Sequence, residues 1–167
     1  MECRHGASAV KQKLADHRNL DVTIVWTPMM ESDNEAAARD AERMFKGTRV
    51  THYYDPGRRV GLAFRRDVFP DAFEHAMASL PADHWLKHEF AVRGPDYSDQ
   101  PEWDIYMFFD RGVKWAATPP RPFHFIRHLG RIGENGESLM WIDDYAHEPI
   151  EGSLSEQLNR MGKEWMR

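Results

Sequence analysis

The 167 residues, 41% of them hydrophobic and 12% aromatic, can bury a core without disulfide or metal staples, and they exclude a disordered chain. A net charge of −5 with both signs interleaved excludes a basic nucleic-acid-binding face, and a single cysteine excludes an internal disulfide or a four-cysteine zinc site. No apolar run approaches the roughly 20 residues of a membrane span, and the charged first twenty residues do not read as a signal peptide, so the expected compartment is the cytosol.

In chain order, Ala7, Val10 and Leu14 recur at helical spacing and predict a helix over 6–17. The β-branched run "DVTIVW" (21–26) predicts a strand closed by Thr27 and Pro28. Ser32 and Glu35 form an S-x-x-E capping box ahead of a helix faced by Ala37, Ala41, Met44 and Phe45, with Gly47 as its stop. "RVTHYYD" (49–55) predicts a second strand ended by the turn Asp55-Pro56-Gly57. Val60, Ala63 and Phe64 predict a turn or two of helix. A helix opening at Pro70 then carries Phe73, Ala76, Met77 and Leu80 and stops before Pro81.

Residues 81–100 read as irregular, with a helical stretch at "HWLKHEF". "WDIYMFF" (103–109), the turn Asp110-Arg111-Gly112 and "VKWAA" (113–117) predict a tight hairpin. "PFHFIRHLGRI" (122–132) reads as a short helix, and 133–152 as turn-rich with one apolar stretch, "LMWI". Ser155 caps a last amphipathic helix carrying Leu158, Met161 and Trp165. Strands separated by helices predict an α/β layer structure with a parallel crossover, and the hairpin adds an antiparallel edge.

This order, with "MECRHGASAVKQKL", "VTIVW", "VTHYYDPGRRVGLAF" and "PEWDIYMFFDRGVKW", resembles the thioredoxin-like superfamily in its peroxiredoxin and thiol-reductase branch. More narrowly, "VWTPMMESDNEAAARDAERMF", "RVTHYYDPGRRVG" and "WDIYMFFDRGVKW" are similar to a bacterial group of thioredoxin-like proteins. The resemblance covers residues 1–132. It implies one thioredoxin-like domain there, a mixed sheet flanked by helices with its first, central strand missing. Residues 133–167 form a C-terminal extension ending in a helix.

Cys3 corresponds to the later cysteine of a C-x-x-C motif, since Gly6 follows it by three positions. The earlier cysteine, or a selenocysteine, would fall immediately before Met1, so the resemblance implies a truncated active site. Either the strand at 21–26 pairs with 103–109, "LMWI" inserts, or a partner chain supplies the missing strand.

The function implied is thiol–disulfide exchange, weak or incomplete with one thiol, on a protein or low-molecular-weight thiol or disulfide. Cys3 is the expected catalytic thiol, at a helix N-terminus that stabilises its thiolate, with Arg4 and His5 adding positive charge. Pro101 corresponds to the cis-proline that docks an extended substrate, with Trp103 and Trp26 as further substrate-binding residues. Neither a cofactor, a resident metal, nucleic acid nor a membrane is an expected partner. A homodimer through the C-terminal helix is the expected assembly, unless that helix packs across the sheet.

Two other function classes compete: a non-catalytic binding or assembly module on the same fold, and a Cys/His metal-binding protein. The second rests on His84/His88 and His124/His128, each spaced so that a helix would put both imidazoles on one face. Neither pair has an H-E-x-x-H pattern or a third ligand at a recognisable spacing.

Overall fold

A computed structural model describes residues 2–17, 20–47, 49–93, 100–132, 138–143 and 148–164. The chain is mixed α/β and divides into two units, one comprising residues 1–60 with 154–167 and the other residues 61–153.

In the first unit, α1 (Glu2–Asp16) begins four residues earlier than the apolar spacing alone indicates. β1 (Val22–Trp26) lies parallel to β2 (Val50–Tyr54), Val22 opposite Val50 and Trp26 opposite Tyr54. Between them run α2 (Glu35–Glu42) and a 3-10 turn over Arg43–Phe45. The cap of α2 is Asn34 rather than Ser32: its side-chain oxygen accepts from Ala37 N at 3.0 Å. Asp33 instead takes Met29 N and Met30 N on its carboxylate, at 3.0 and 2.9 Å, which fixes the loop so that the helix starts two residues later. Gly47, at φ +81°, stops the segment as expected.

The turn after β2 bonds Arg58 N to Asp55 O, and Arg58 takes the left-handed conformation. The buried Asp55 carboxylate then accepts from Val60 N at 2.7 Å, at the start of α3 (Arg59–Asp67). The last helix, α6 (Leu154–Glu164), packs on α1. Its apolar residues Leu154, Leu158 and Met161 are buried, so the face on which dimerisation was expected is covered within the chain. Lys13 of α1 hydrogen-bonds Asn159 of α6.

In the second unit α3 continues into α4 (Ala72–Ser79) and α5 (Trp85–Arg93). These precede an antiparallel sheet in the order β3 (Ile105–Phe108), β4 (His124–Ile132), β5 (Ser138–Asp143), β6 (Glu148–Glu151). Phe64, Phe69, Leu86, Phe125, Ile126 and Trp141 are buried here.

Two expectations fail in this unit. Residues 122–132, expected as a helix, are strand β4; residues 113–117, expected as the second hairpin strand, form no strand at all. "HFIRHLGRI" has mixed apolar spacing, and its pairing with β3 on one side and β5 on the other makes it a strand. Pro119, Pro120 and Pro122 keep residues 119–122 out of a ladder. β3 skips "VKWAA" and pairs with β4. "LMWI" belongs to β5, between β4 and β6, and β1 pairs with β2 alone. Neither in-chain substitute for the missing strand occurs among the described residues, and the single continuous sheet that was expected is two sheets. No helix among the described residues is long and apolar enough to cross a membrane.

Candidate functional site

Cys3, Arg4 and His5 occupy the first turn of α1, so the backbone of this chain does put the thiol position at the start of a helix. Their side chains lie outside those described. Trp26, at the C-terminal end of β1, donates its indole N–H to His52 Nδ1 at 3.1 Å, and the two rings stack. Phe45 leans on the other side of the pair, with its ring 5.3 Å from His52. Trp26 is therefore a half-buried anchor of the parallel sheet with its polar atom already used.

In the second unit the residues leading into β3 are held with unusual firmness. Pro101 is buried, and no peptide bond among the described residues is cis, so the expected cis-proline is corrected to trans. Glu102 N donates to Gly61 O at 3.1 Å, and α3 comes so close that a Cβ on Gly61 would stand 2.3 Å from Glu102 O. Only glycine fits there.

The Glu102 carboxylate, 1% exposed, lies 2.8 Å from Arg127 Nε and 3.4 Å from Arg65 Nη1, and Arg65 also reaches Glu74 at 3.5 Å. A carboxylate taken out of water at this cost needs such pairing to persist. Burial pushes the Arg127 guanidinium below its ordinary value, with Glu102 opposing the shift.

Trp103 follows, 40% exposed, and then Asp104 at φ +49°, a conformation few non-glycine residues adopt. Asp104 O accepts from His128 N at 3.1 Å. Its carboxylate accepts from Tyr106 OH at 3.0 Å and lies 3.6 Å from His128 Nδ1. Desolvation raises the Asp104 carboxyl above the usual carboxylate range, opposed by His128 and by the Tyr106 hydrogen bond. Trp103 meets the His128 ring edge-on, and Trp141, whose indole N–H is taken by Gly152 O, closes the other side of His128. The result is an acid–base pair, Asp104 with His128, walled by aromatics and adjoining an exposed tryptophan.

Matches to protein-family models, to curated proteins and to solved structures were sought, and none was found.

The structure thus puts Pro101 and Trp103 on one braced segment, and Cys3, Arg4 and His5 on one helical turn. Sequence reasoning missed Glu102, Asp104, Tyr106, Arg65 and Arg127, and put His128 in a helical metal pair instead. A signal existed for part of this set: reading 124–132 as a strand paired with 105–108 brings His128 next to Asp104, just ahead of β3.

The same strand disposes of His124 and His128 as a helical metal pair, since four residues of strand separate them by about 13 Å. His84 uses Nδ1 to accept from Leu86 N at 3.3 Å at the head of α5, a structural role. No group of three or more His, Cys, Asp or Glu suited to a metal ion occurs among the described residues.

Proposed function

We propose that this chain is a thioredoxin-like, single-thiol relative of the thiol–disulfide oxidoreductases, with Cys3 as the reacting residue. The observation that carries the reading is the position of Cys3 in the first turn of α1, directly ahead of the parallel β1–α2–β2 crossover. Helix-terminal amides favour a thiolate there, and Arg4 and His5 are near in sequence.

The Cys3 thiolate attacks one sulfur of a substrate disulfide. A mixed disulfide forms as the other substrate sulfur leaves as thiolate. With no second cysteine in the chain, an external thiol must release the product. In this reading β1 and β2 follow the cysteine helix, and β3 and β4 form the later hairpin. The missing strand would lie along the free edge of β1.

The test is the pH dependence of Cys3 alkylation by iodoacetamide, with mass spectrometry for the glutathione adduct. A midpoint well below the roughly 8.5 of free cysteine, with one adduct lost in Cys3→Ser, is the expected result. A midpoint at or above that value sinks the reading.

A second reading, a binding module that keeps the fold without exchange chemistry, draws on one observation: the Pro101 bond is trans and Glu102 beside it is locked between arginines. Under that reading Cys3→Ser leaves every measured activity unchanged.

A further inference from the structure

The connection between β3 and β4 is long, and nothing in the thiol reading uses it. Phe123 N donates to Phe108 O at 2.9 Å and closes its base, and a turn bonding Val113 N to Asp110 O forms near its start. From 110 to 118 nine consecutive residues are exposed. Three of the chain's few exposed large apolar side chains lie on the loop: Val113 at 45%, Trp115 at 49% and Phe123 at 39%. Trp115 is held from beneath, its ring edge-on to the buried Phe64 at 5.2 Å.

The charge of the loop opposes that of the molecule. Arg111, Lys114 and Arg121 face a single acidic residue, Asp110, in a chain whose net charge is −5. Pro119 and Pro122 are buried and anchor the loop's returning arm.

Exposed aromatic and aliphatic side chains interleaved with cations suit a surface that yields and carries phosphate. A nucleic-acid strand would ask for a stacking platform along a basic groove, and this loop has neither.

We propose that loop 110–123 is a peripheral docking surface for anionic lipid bilayers. Val113 and Trp115 enter the headgroup region, and Arg111 and Lys114 face the lipid phosphates. Such contact needs no spanning helix, so it is compatible with the absence of a long apolar run in the sequence. The attraction of the loop's cations to lipid phosphate acts through water and is screened beyond about 10 Å at ordinary ionic strength, so added salt weakens the binding.

The experiment is co-sedimentation of the full chain with phosphatidylcholine vesicles, with and without phosphatidylglycerol. The chain is expected to sediment with the anionic vesicles, to stay in solution with the neutral ones, and to be released by high salt. Arg111→Glu combined with Lys114→Glu is expected to weaken partitioning at least about tenfold. Trp115→Ser is expected to do the same; because Trp115 packs on Phe64, Val113→Ser serves as the apolar variant that leaves the packing alone. Circular dichroism checks that each variant is folded.

Absence of binding to anionic vesicles overturns the proposal. So does equal binding to neutral ones, or wild-type partitioning by the folded charge-reversed variant. Retention on an immobilised acidic polypeptide without vesicle binding would assign the loop to a protein partner instead, and would likewise overturn it. None of these outcomes bears on Cys3.

Discussion

The parallel pair β1–β2 has five residues in each strand and the antiparallel sheet β3–β6 four to nine, and the two depend on different information. β1 is a continuous β-branched run between helices, and its register with β2 follows from one short crossover. β4 carries mixed polar and apolar residues, and its identity depends on pairing with β3, 16 to 22 positions earlier, and with β5 just after it. The buried residues differ as well. The first unit buries mainly alanine, leucine, methionine and phenylalanine, whereas the second buries an ion network, Arg65–Glu102–Arg127, beneath its candidate site. Local patterning identifies the strands of the former; in the latter, strand pairing decides what β4 is.

That contrast can be broken most directly at Glu102. Glu102→Gln leaves two arginines around an uncharged amide and is expected to cost about 3–5 kcal/mol, read from urea unfolding. A loss under about 1 kcal/mol would mean that the second unit does not depend on its buried charges, and the comparison would lapse.

Gly61→Ala tests the same segment from the other side. The added methyl has no room against the Glu102 carbonyl, so the backbone must shift, at about 1–3 kcal/mol or somewhat more. Trp103 fluorescence quenching should become easier as the 101–104 segment loosens; unchanged stability and quenching would contradict the close approach.

In the first unit the sharper test is the helix cap. Asn34→Ala is expected to cost about 1 kcal/mol in thermal or chemical unfolding, and Ser32→Ala close to nothing. The reverse order would restore the capping box expected from the sequence.

The smallest effect is a pH dependence. Because the folded state raises the Asp104 carboxyl, the folded chain holds that proton more tightly than the unfolded one. The associated stability is fully present below the ordinary carboxylate range, near pH 4, and is lost as pH rises through the raised value. Asp104→Asn should flatten the decline of stability across the acidic range above about pH 4. An identical pH profile in the variant would show that Asp104 does not titrate as its burial implies.

The candidate site was half legible. A proline followed by an exposed tryptophan at a strand entrance marked 101–104, and a cysteine ahead of helical spacing marked α1. Glu102 left no local trace, because its worth depends on Arg65, 37 positions earlier, and on Arg127, 25 later. His128 was misplaced because a nine-residue stretch with mixed apolar spacing fits both a helix and a strand until its neighbours are known.

By itself the amino-acid sequence determined an α/β chain without an internal disulfide, the strands β1, β2 and β3, the helices α1 to α5 to within a few residues, and Gly47 as a helix stop. Those features follow from turn chemistry and side-chain periodicity within a few residues of each position. Only the tertiary structure decided that 124–132 is a strand, that Asp104 faces His128, that Gly61 must admit the 101–102 backbone, and that the strands fall into two sheets. Each of these depends on hydrogen bonds or contacts between residues distant in the chain, whose free energy appears only once both partners are in place.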